Sequence, residues 1–122
     1  MDLLQVAKLI NEKIKAIEVE RNKLETLANN KARYESEYDR ELAVVIIKLK
    51  TGTPITVEGN EIVNPPATII ERIARGATWE SKLRYETANG LYKAVISNIS
   101  ALESQMCGFQ SINKYLSEVS ND

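Results

Sequence analysis

The fold is decided by the stretch TGTPITVEGNEIVNPP, residues 51–66, which separates two long helical patterns. Its first four residues, Thr51-Gly52-Thr53-Pro54, end a helix, because glycine is common just past a helix end and proline cannot continue one. Next, Ile55-Thr56-Val57 and Glu61-Ile62-Val63 alternate in polarity on either side of Glu58-Gly59-Asn60. Two short alternating runs around a glycine-containing turn predict a small β-hairpin.

A short helix is expected directly after this hairpin. Asn64 is a good N-cap and Pro65 suits the first helical position, so the sequence predicts a helix over residues 65–76. Gly76 is the expected end of this helix. Thr78 either begins a new helix or lies within a continuing one, and the sequence leaves both alternatives open.

Residues 2–50 form the first predicted arm, one long helix that Asp2 caps. An apolar residue recurs at every seventh position, and a second apolar set fills the partner positions, which is the pattern of a coiled-coil seam. The first set is Leu3, Ile10, Ile17 and Leu24, and the second set is Ala7, Ile14 and Ala28. The repeat weakens at Asn29-Asn30 and then resumes in a shifted register. Either a local change in supercoiling or a break in the helix explains this shift.

An apolar run, Val44-Val45-Ile46-Ile47, lies near the end of the first arm. A helical segment of this kind is buried on more than one side, whereas its β-branched residues also favour a strand. We interpret the run as helix, because the repeat continues through it. The β-hairpin is too small to be stable alone, so we expect it to pack on this run.

Residues 78–119 form the second predicted arm. Its apolar positions alternate steps of three and four, which indicates a second helical seam. These positions are Tyr85, Ala88, Tyr92, Val95, Ile99, Leu102, Met106 and Phe109, and after a one-residue shift Ile112, Leu116 and Val119. The predicted fold class is therefore mainly all-α. It is a long antiparallel helical hairpin of coiled-coil type, in one domain over residues 1–122, with a β-hairpin (residues 54–63) and a short helix at its bend.

Both arms carry more apolar side chains than one seam between two helices buries. The surplus comprises Leu4, Val6 and Leu9 on the first arm, and Leu91, Ile96 and Ile112 on the second arm. We therefore expect the chain to form a homo-oligomer. The residues predicted to form the oligomer seam are Leu3, Ile10, Ile17, Leu24, Val95, Ile99, Leu102 and Phe109.

The composition excludes several kinds of chemistry. The 122 residues include no histidine and one cysteine, so serine–histidine and cysteine–histidine catalysis are excluded and a metal site is not expected. We predict a protein that is not an enzyme and holds no cofactor. Cys107 lies between apolar neighbours and is expected to pack as a small hydrophobic residue. The net charge of −1 argues against broad binding of duplex nucleic acid.

Two features of the sequence predict a cytoplasmic protein. The longest apolar stretch is far shorter than the roughly 18 to 20 residues that span a bilayer. The first residues lack the basic and apolar regions of a signal peptide.

The candidate binding surface follows the hairpin. Arg72, Arg75, Trp79 and Lys82 are three, four and three residues apart, so a continuous helix places them on one face. Arg84 and Lys48 are expected nearby. Arginine and tryptophan are enriched where proteins bind one another, and the same residues can hold a phosphate or stack on a base. In the alternative interpretation, Trp79 is a core residue and the cations are only solvated.

Four tyrosines are expected to face one another across the two arms. They are Tyr34, Tyr38, Tyr85 and Tyr92. The simplest interpretation is core packing with the hydroxyl groups reaching water, and a ligand cleft is the alternative.

Two segments, residues 64–76 and 108–116, resemble parts of small uncharacterised phage and prophage proteins. That resemblance implies a product of an early phage gene that acts in recombination, replication or counter-defence. The order helix, β-hairpin, helix is also similar in architecture to the smaller subunit class of prefoldin, a chaperone.

The leading functional hypothesis is a non-enzymatic accessory protein of phage type. It would bind and modulate another protein of host or phage origin, for example as an anti-defence inhibitor or a modulator of replication or recombination. The alternatives are a nucleic-acid or nucleotide binder that uses the basic and aromatic residues, and a prefoldin-like holdase. No membrane partner is expected.

Overall fold

The computed structural model describes residues 1–120. These residues form helix α1 (Leu3–Lys50), strands β1 (Ile55–Val57) and β2 (Asn60–Ile62), a 3₁₀ turn (Ala67–Ile69), helix α2 (Ile70–Ala77) and helix α3 (Trp79–Ser120). The prediction of a mainly all-α fold with a small β-hairpin and a short helix is confirmed. None of the described helices combines the length and apolar character that crossing a membrane requires.

Helix α1 begins with a reciprocal pair of hydrogen bonds. The Gln5 N–H donates to Asp2 Oδ1 at 2.8 Å, and the Asp2 N–H donates to Gln5 Oε1 at 3.0 Å. This capping box satisfies two backbone donors that the first turn leaves without helical partners, so the predicted cap at Asp2 is confirmed. The helix then continues through Asn29-Asn30, and the break that the sequence left open does not occur.

Helix α1 ends where the glycine signal predicts. Gly52 adopts φ +77°, and the Thr53 N–H donates to the Lys48 carbonyl at 2.9 Å. Together these features are a Schellman motif, in which a left-handed residue lets the chain reverse and cap the last carbonyls. The Thr51 hydroxyl adds a bond to the Ile47 carbonyl at 2.8 Å.

Strands β1 and β2 pair antiparallel, with Ile55 opposite Ile62 and Val57 opposite Asn60. The turn consists of Glu58 and Gly59, whose φ angles are +48° and +77°. Two consecutive residues at positive φ are typical of a type I′ turn, whose twist matches that of the strands. The second strand therefore begins at Asn60, one residue earlier than predicted.

The hairpin packs on the end of α1, as expected, and also on α2. Leu49, Ile70 and Ala74 are buried at the centre of this cluster. The partly buried side chains around them come from α1, both strands and α2: Leu42, Val45, Ile46, Ile55, Ile62 and Ile73. Each strand thus contributes one isoleucine to a core that neither strand could build alone.

The predicted start of the short helix is wrong. Asn64 adopts φ +47°, and Pro66 is extended (φ −55°, ψ 139°) with no side-chain cap on the turn that follows. The reason lies in the paired prolines, because a residue that precedes proline is disfavoured in the helical region. Pro65 therefore cannot begin a helix. The Asn64 amide instead lies beside Gly52, where its Oδ1 would be 3.0 Å from an added Cβ.

The chain divides into two compact units. Unit 1 comprises Met1–Ala28 and the described part of Leu91–Asp122, and unit 2 comprises Asn29–Gly90. In unit 2 the segments of α1 and α3 run antiparallel, since Tyr38 lies beside Tyr85 and Glu41 bonds to Ser81.

The core of unit 1 joins α1 to α3 within one chain. Ile17, Val95 and Ile99 are buried there, and Leu24, Leu27, Leu102 and Met106 pack against them. Five residues of the predicted oligomer seam are thus covered by the chain itself: Ile17, Leu24, Val95, Ile99 and Leu102. Of the others, Ile10 and Phe109 are half-buried and Leu3 is at the edge of exposure.

The partner positions of the α1 seam are one residue earlier than predicted. Val6 is fully buried, whereas Ile14 is 41% exposed. Lys13 and Glu20, seven and fourteen residues after Val6, are half-buried. Long charged side chains can lay their methylene groups over an apolar surface while their charged ends reach water. Polarity alone therefore did not identify these positions, and Val6 belongs to the core rather than to the surplus.

The α3 seam also continues differently near its end. The half-buried residues after Phe109 are Asn113, Leu116 and Ser117, and the first two keep the steps of four and three. Ile112 and Val119 are exposed, so the predicted one-residue shift is wrong. Of the predicted surplus, Leu4, Leu91, Ile96 and Ile112 are exposed and Leu9 is half-buried. Cys107 is exposed as well, which corrects the expectation that it packs as a hydrophobic residue.

Candidate binding groove

The candidate site in unit 2 begins at the joint between α2 and α3. Thr78 is the one residue between these helices and is buried, with φ −107° and ψ 21°. Its N–H and its hydroxyl both donate to the Ala74 carbonyl, at 3.1 and 2.9 Å, and the Lys82 N–H donates to the Thr78 carbonyl at 3.1 Å. A threonine hydroxyl that bonds back to the preceding turn bends a helix. These hydrogen bonds therefore stabilise the bend between α2 and α3, so the two helices do not form one continuous helix.

A pocket of about 260 Å³ opens beside this joint. Glu41 of α1 forms one wall, and the other lining residues belong to the joint and the first turns of α3: Ala77, Thr78, Trp79, Glu80, Ser81 and Arg84. Trp79 is 54% exposed. The interpretation of Trp79 as a core residue is therefore wrong.

A chain of polar contacts ties the two walls of this pocket together. The buried Ser81 hydroxyl donates to the Glu41 carboxylate and accepts from Arg84 Nη2 at 3.2 Å. The hydroxyl is thus satisfied both as donor and as acceptor. The bond uses one of the five N–H donors of the guanidinium, and it fixes where the Arg84 charge lies.

A second pocket of about 330 Å³ continues along α1. It is lined by Arg40, Glu41, Val44, Val45, Lys48, Ala77 and Thr78. Three of these residues, Glu41, Ala77 and Thr78, also line the first pocket, so the two pockets form one surface depression, the unit 2 groove. Arg40, Lys48 and Arg84 place three cations along it.

The structure brings together only part of the predicted patch. Lys48, Trp79 and Arg84 line the groove. Arg72, Arg75 and Lys82 are exposed but are not among the lining residues of either pocket. The Arg75 guanidinium bonds to Glu71 at 2.6 Å. The prediction of one continuous face assumed an uninterrupted helix, and Thr78 interrupts it.

Sequence reasoning missed Arg40. The signal that identifies it is the spacing of Arg40, Val44 and Lys48, because residues four apart lie on one side of a helix. The predicted patch was built on the segment after the hairpin and did not extend this spacing back along α1.

Several carboxylates of unit 2 lie near a pair of tyrosines outside the groove. The rings of Tyr38 and Tyr85 lie 6.4 Å apart at 32°, so these two tyrosines face each other as expected. The charge of Glu35, followed by burial and the charges of Glu86 and Asp39, raises the pKa of the Tyr85 hydroxyl. Carboxylates therefore surround this hydroxyl, whereas the groove is lined by three cations and by the carboxylates of Glu41 and Glu80.

No group of side chains in the described part of the chain has the makeup of a metal site. No protein-family model, no curated protein and no solved structure matches the chain. The arguments for function therefore rest on the groove and on the exposed surfaces.

Proposed function

We propose that the protein works by binding another protein, and that the unit 2 groove is its binding surface. The observation that carries the proposal is Trp79, whose side chain is half exposed in a groove with Lys48 and Arg84. Tryptophan and arginine are the residues most enriched among those that dominate binding energy at protein interfaces. When a partner covers an exposed indole, the removal of its apolar surface from water lowers the free energy of the complex.

The groove fits a partner segment that carries both an acidic and an apolar side chain. Val44 and Trp79 offer the apolar contact, and the cations Arg40 and Lys48 flank Val44 on α1. A run of nucleic-acid phosphates fits less well than a single acidic side chain placed at Arg40 and Lys48, because the run would also meet the carboxylates of Glu41 and Glu80 in the same depression. A protein partner is therefore favoured over a nucleic acid.

The resemblance to phage proteins supports a partner of host or phage origin. In that role the protein would modulate a defence, replication or recombination factor by covering part of its surface. Self-association is not part of this proposal, because it would use a different surface.

Affinity capture with matched variants tests the groove. The wild-type chain and the variants Trp79→Ala and Lys48→Glu are immobilised separately, and each is exposed to the same bacterial lysate. Lys82→Glu is the control, because Lys82 is an exposed cation outside the groove. We expect a protein that the wild type and Lys82→Glu retain. Both groove variants should retain at least about tenfold less of this protein, because truncation of an interface tryptophan commonly weakens binding by that much. Circular dichroism verifies that all four chains are folded.

Equal capture by all four chains would contradict the proposal. A separate measurement of single- and double-stranded DNA binding by fluorescence polarisation addresses the alternative. Salt-sensitive DNA binding that Lys48→Glu abolishes would assign the groove to nucleic acid instead.

A further inference from the structure

A second surface lies on unit 1, along α3. Seven residues at alternating steps of three and four share one side of this helix, and all seven are exposed. We refer to them as the α3 stripe: Leu91, Ala94, Asn98, Ala101, Gln105, Gly108 and Ile112. Alternating steps of three and four normally mark the side of a helix that another helix covers.

The stripe carries no charge, and its surroundings carry very little. Between residues 94 and 113 the only charged residue is Glu103, and its carboxylate bonds to Arg21 at 2.9 Å. The exposed side of a surface helix is ordinarily rich in charged residues. Depletion of charge is instead typical of the centre of a protein–protein interface.

The stripe is complementary to itself in reverse. When two copies pair antiparallel about Ala101, Ala94 of one copy lies opposite Gly108 of the other, because both are seven residues from the axis. Asn98 and Gln105 then meet within one residue of each other along the helix, and so do Leu91 and Ile112. The apolar residues then meet at both ends, and the side-chain amides can hydrogen-bond across the pair. A two-fold symmetric interface requires this property, because each residue must match its counterpart in both copies.

The stripe also borders a depression that can receive a helix. A pocket of about 370 Å³ is lined by Asn98, Ala101, Leu102 and Gln105 of α3 together with Ala16, Val19 and Glu20 of α1. Val19 is 55% exposed, and the one charged lining residue, Glu20, is paired with Lys23 at 2.9 Å. The small side chains at positions 94, 101 and 108 allow another backbone to approach closely.

We propose that a second copy of this chain covers the α3 stripe. The two α3 helices cross antiparallel at a two-fold axis through Ala101, and Val19 of each copy flanks the partner helix. A copy of the same chain fits better than a charged partner because the surface offers no unpaired charge and matches its own reverse order. The interface lies in unit 1 and is independent of the function proposed for the unit 2 groove.

Disulfide cross-linking tests the register. Ala101→Cys is made in a Cys107→Ser chain, and the control is Ser100→Cys in the same background. Ser100 is exposed and lies about 100° around the helix from Ala101. On the axis, two Cα atoms approach within the roughly 7 Å that a disulfide spans. Under mild oxidation we expect Ala101→Cys to form covalent dimers at least about tenfold faster than the control; equal rates would overturn the register.

Introducing a charge into the stripe tests the dimer itself. Equilibrium sedimentation should give the wild type twice the chain mass of 13.7 kDa. Ala101→Glu should shift it to one chain mass, because two carboxylates meet at the axis, and Ser100→Glu should remain dimeric. Both positions are exposed, and circular dichroism verifies folding. A monomeric wild type, or a dimer that Ala101→Glu leaves intact, would overturn the proposal, whatever the capture experiment shows for the groove.

Discussion

At the residue scale, two nearby aliphatic residues on α1 differ in how deeply they are buried. Val6 is fully buried and Leu4 is 81% exposed, although both are aliphatic residues in the first two turns. An apolar pattern identifies both as candidates for the core. Which of them is covered depends on what packs against this part of α1, and polarity alone does not reveal it.

Truncation of these two side chains should therefore have unequal effects. Val6→Ala removes two buried methyl groups, and we expect the free energy of unfolding to fall by about 1.5 to 2 kcal/mol. Leu4→Ala should change it by less than about 0.5 kcal/mol. Urea denaturation followed by circular dichroism measures both. Equal losses would show that the first turns are packed differently.

The backbone conformation at Gly52 restricts which residues can replace it. Its φ of +77° is unfavourable for other residues, and an added Cβ would lie 3.0 Å from Asn64 Oδ1. Gly59 has the same φ with nothing within 4 Å of that position. Alanine costs about 1 to 2 kcal/mol at a left-handed position, so Gly52→Ala and Gly59→Ala should both destabilise.

The contact with Asn64 should make Gly52→Ala the worse of the two. Gly76→Ala serves as the opposite control, because Gly76 is helical and has free space around it, and we expect a gain of up to about 1 kcal/mol. The measurement is the shift in denaturation midpoint for all three variants. Equal effects at Gly52 and Gly59 would show that Asn64 moves aside without cost.

At the element scale, α1 carries an ion pair that makes the stability of the protein depend on pH. The Lys23 ammonium donates to Glu20 Oε1 at 2.9 Å, and this hydrogen bond holds the pKa of the Glu20 carboxyl below its ordinary value of 4.5. A lowered pKa in the folded state means that the unfolded chain binds the proton more readily. The resulting stabilisation is present above the ordinary pKa and disappears as the pH falls through the folded one.

Lys23→Gln should remove this stabilisation. We expect the variant to be less stable than the wild type near neutral pH, and the difference to shrink toward zero in acid, where Glu20 is protonated in both states. Lys15→Gln is the control, because Lys15 is an exposed lysine on the same helix. The difference in free energy of unfolding between Lys15→Gln and the wild type should not shrink toward zero in acid. Urea denaturation across the acid range measures the effect. A constant difference for Lys23→Gln would exclude Glu20 as its source.

At the scale of the whole molecule, the proposed dimer links stability to concentration. When association favours the folded state, the melting temperature rises with protein concentration. Differential scanning calorimetry from about 10 to about 300 μM should show this rise for the wild type and for Ser100→Glu. Ala101→Glu should melt at one temperature throughout. A wild-type melting temperature independent of concentration would count against the dimer.

The sequence by itself determined where α1 begins and ends and where the β-hairpin turns. Asp2 and Gln5, Gly52, and the Glu58-Gly59 turn act through hydrogen bonds and backbone angles within a few residues, and such interactions can be identified in a local sequence. The helix start at Asn64 was predicted wrongly because the restriction that Pro66 places on Pro65 outweighed a favourable cap.

Only the tertiary structure decided which sides of the helices are covered. Val6 rather than Ile14 enters the core, Arg40 joins Lys48 and Arg84 along the groove, and Cys107 is left exposed. Neighbouring positions on a helix are nearly equal candidates for burial from their polarity alone. The difference between them arises from side chains that a distant part of the chain places against one side of the helix.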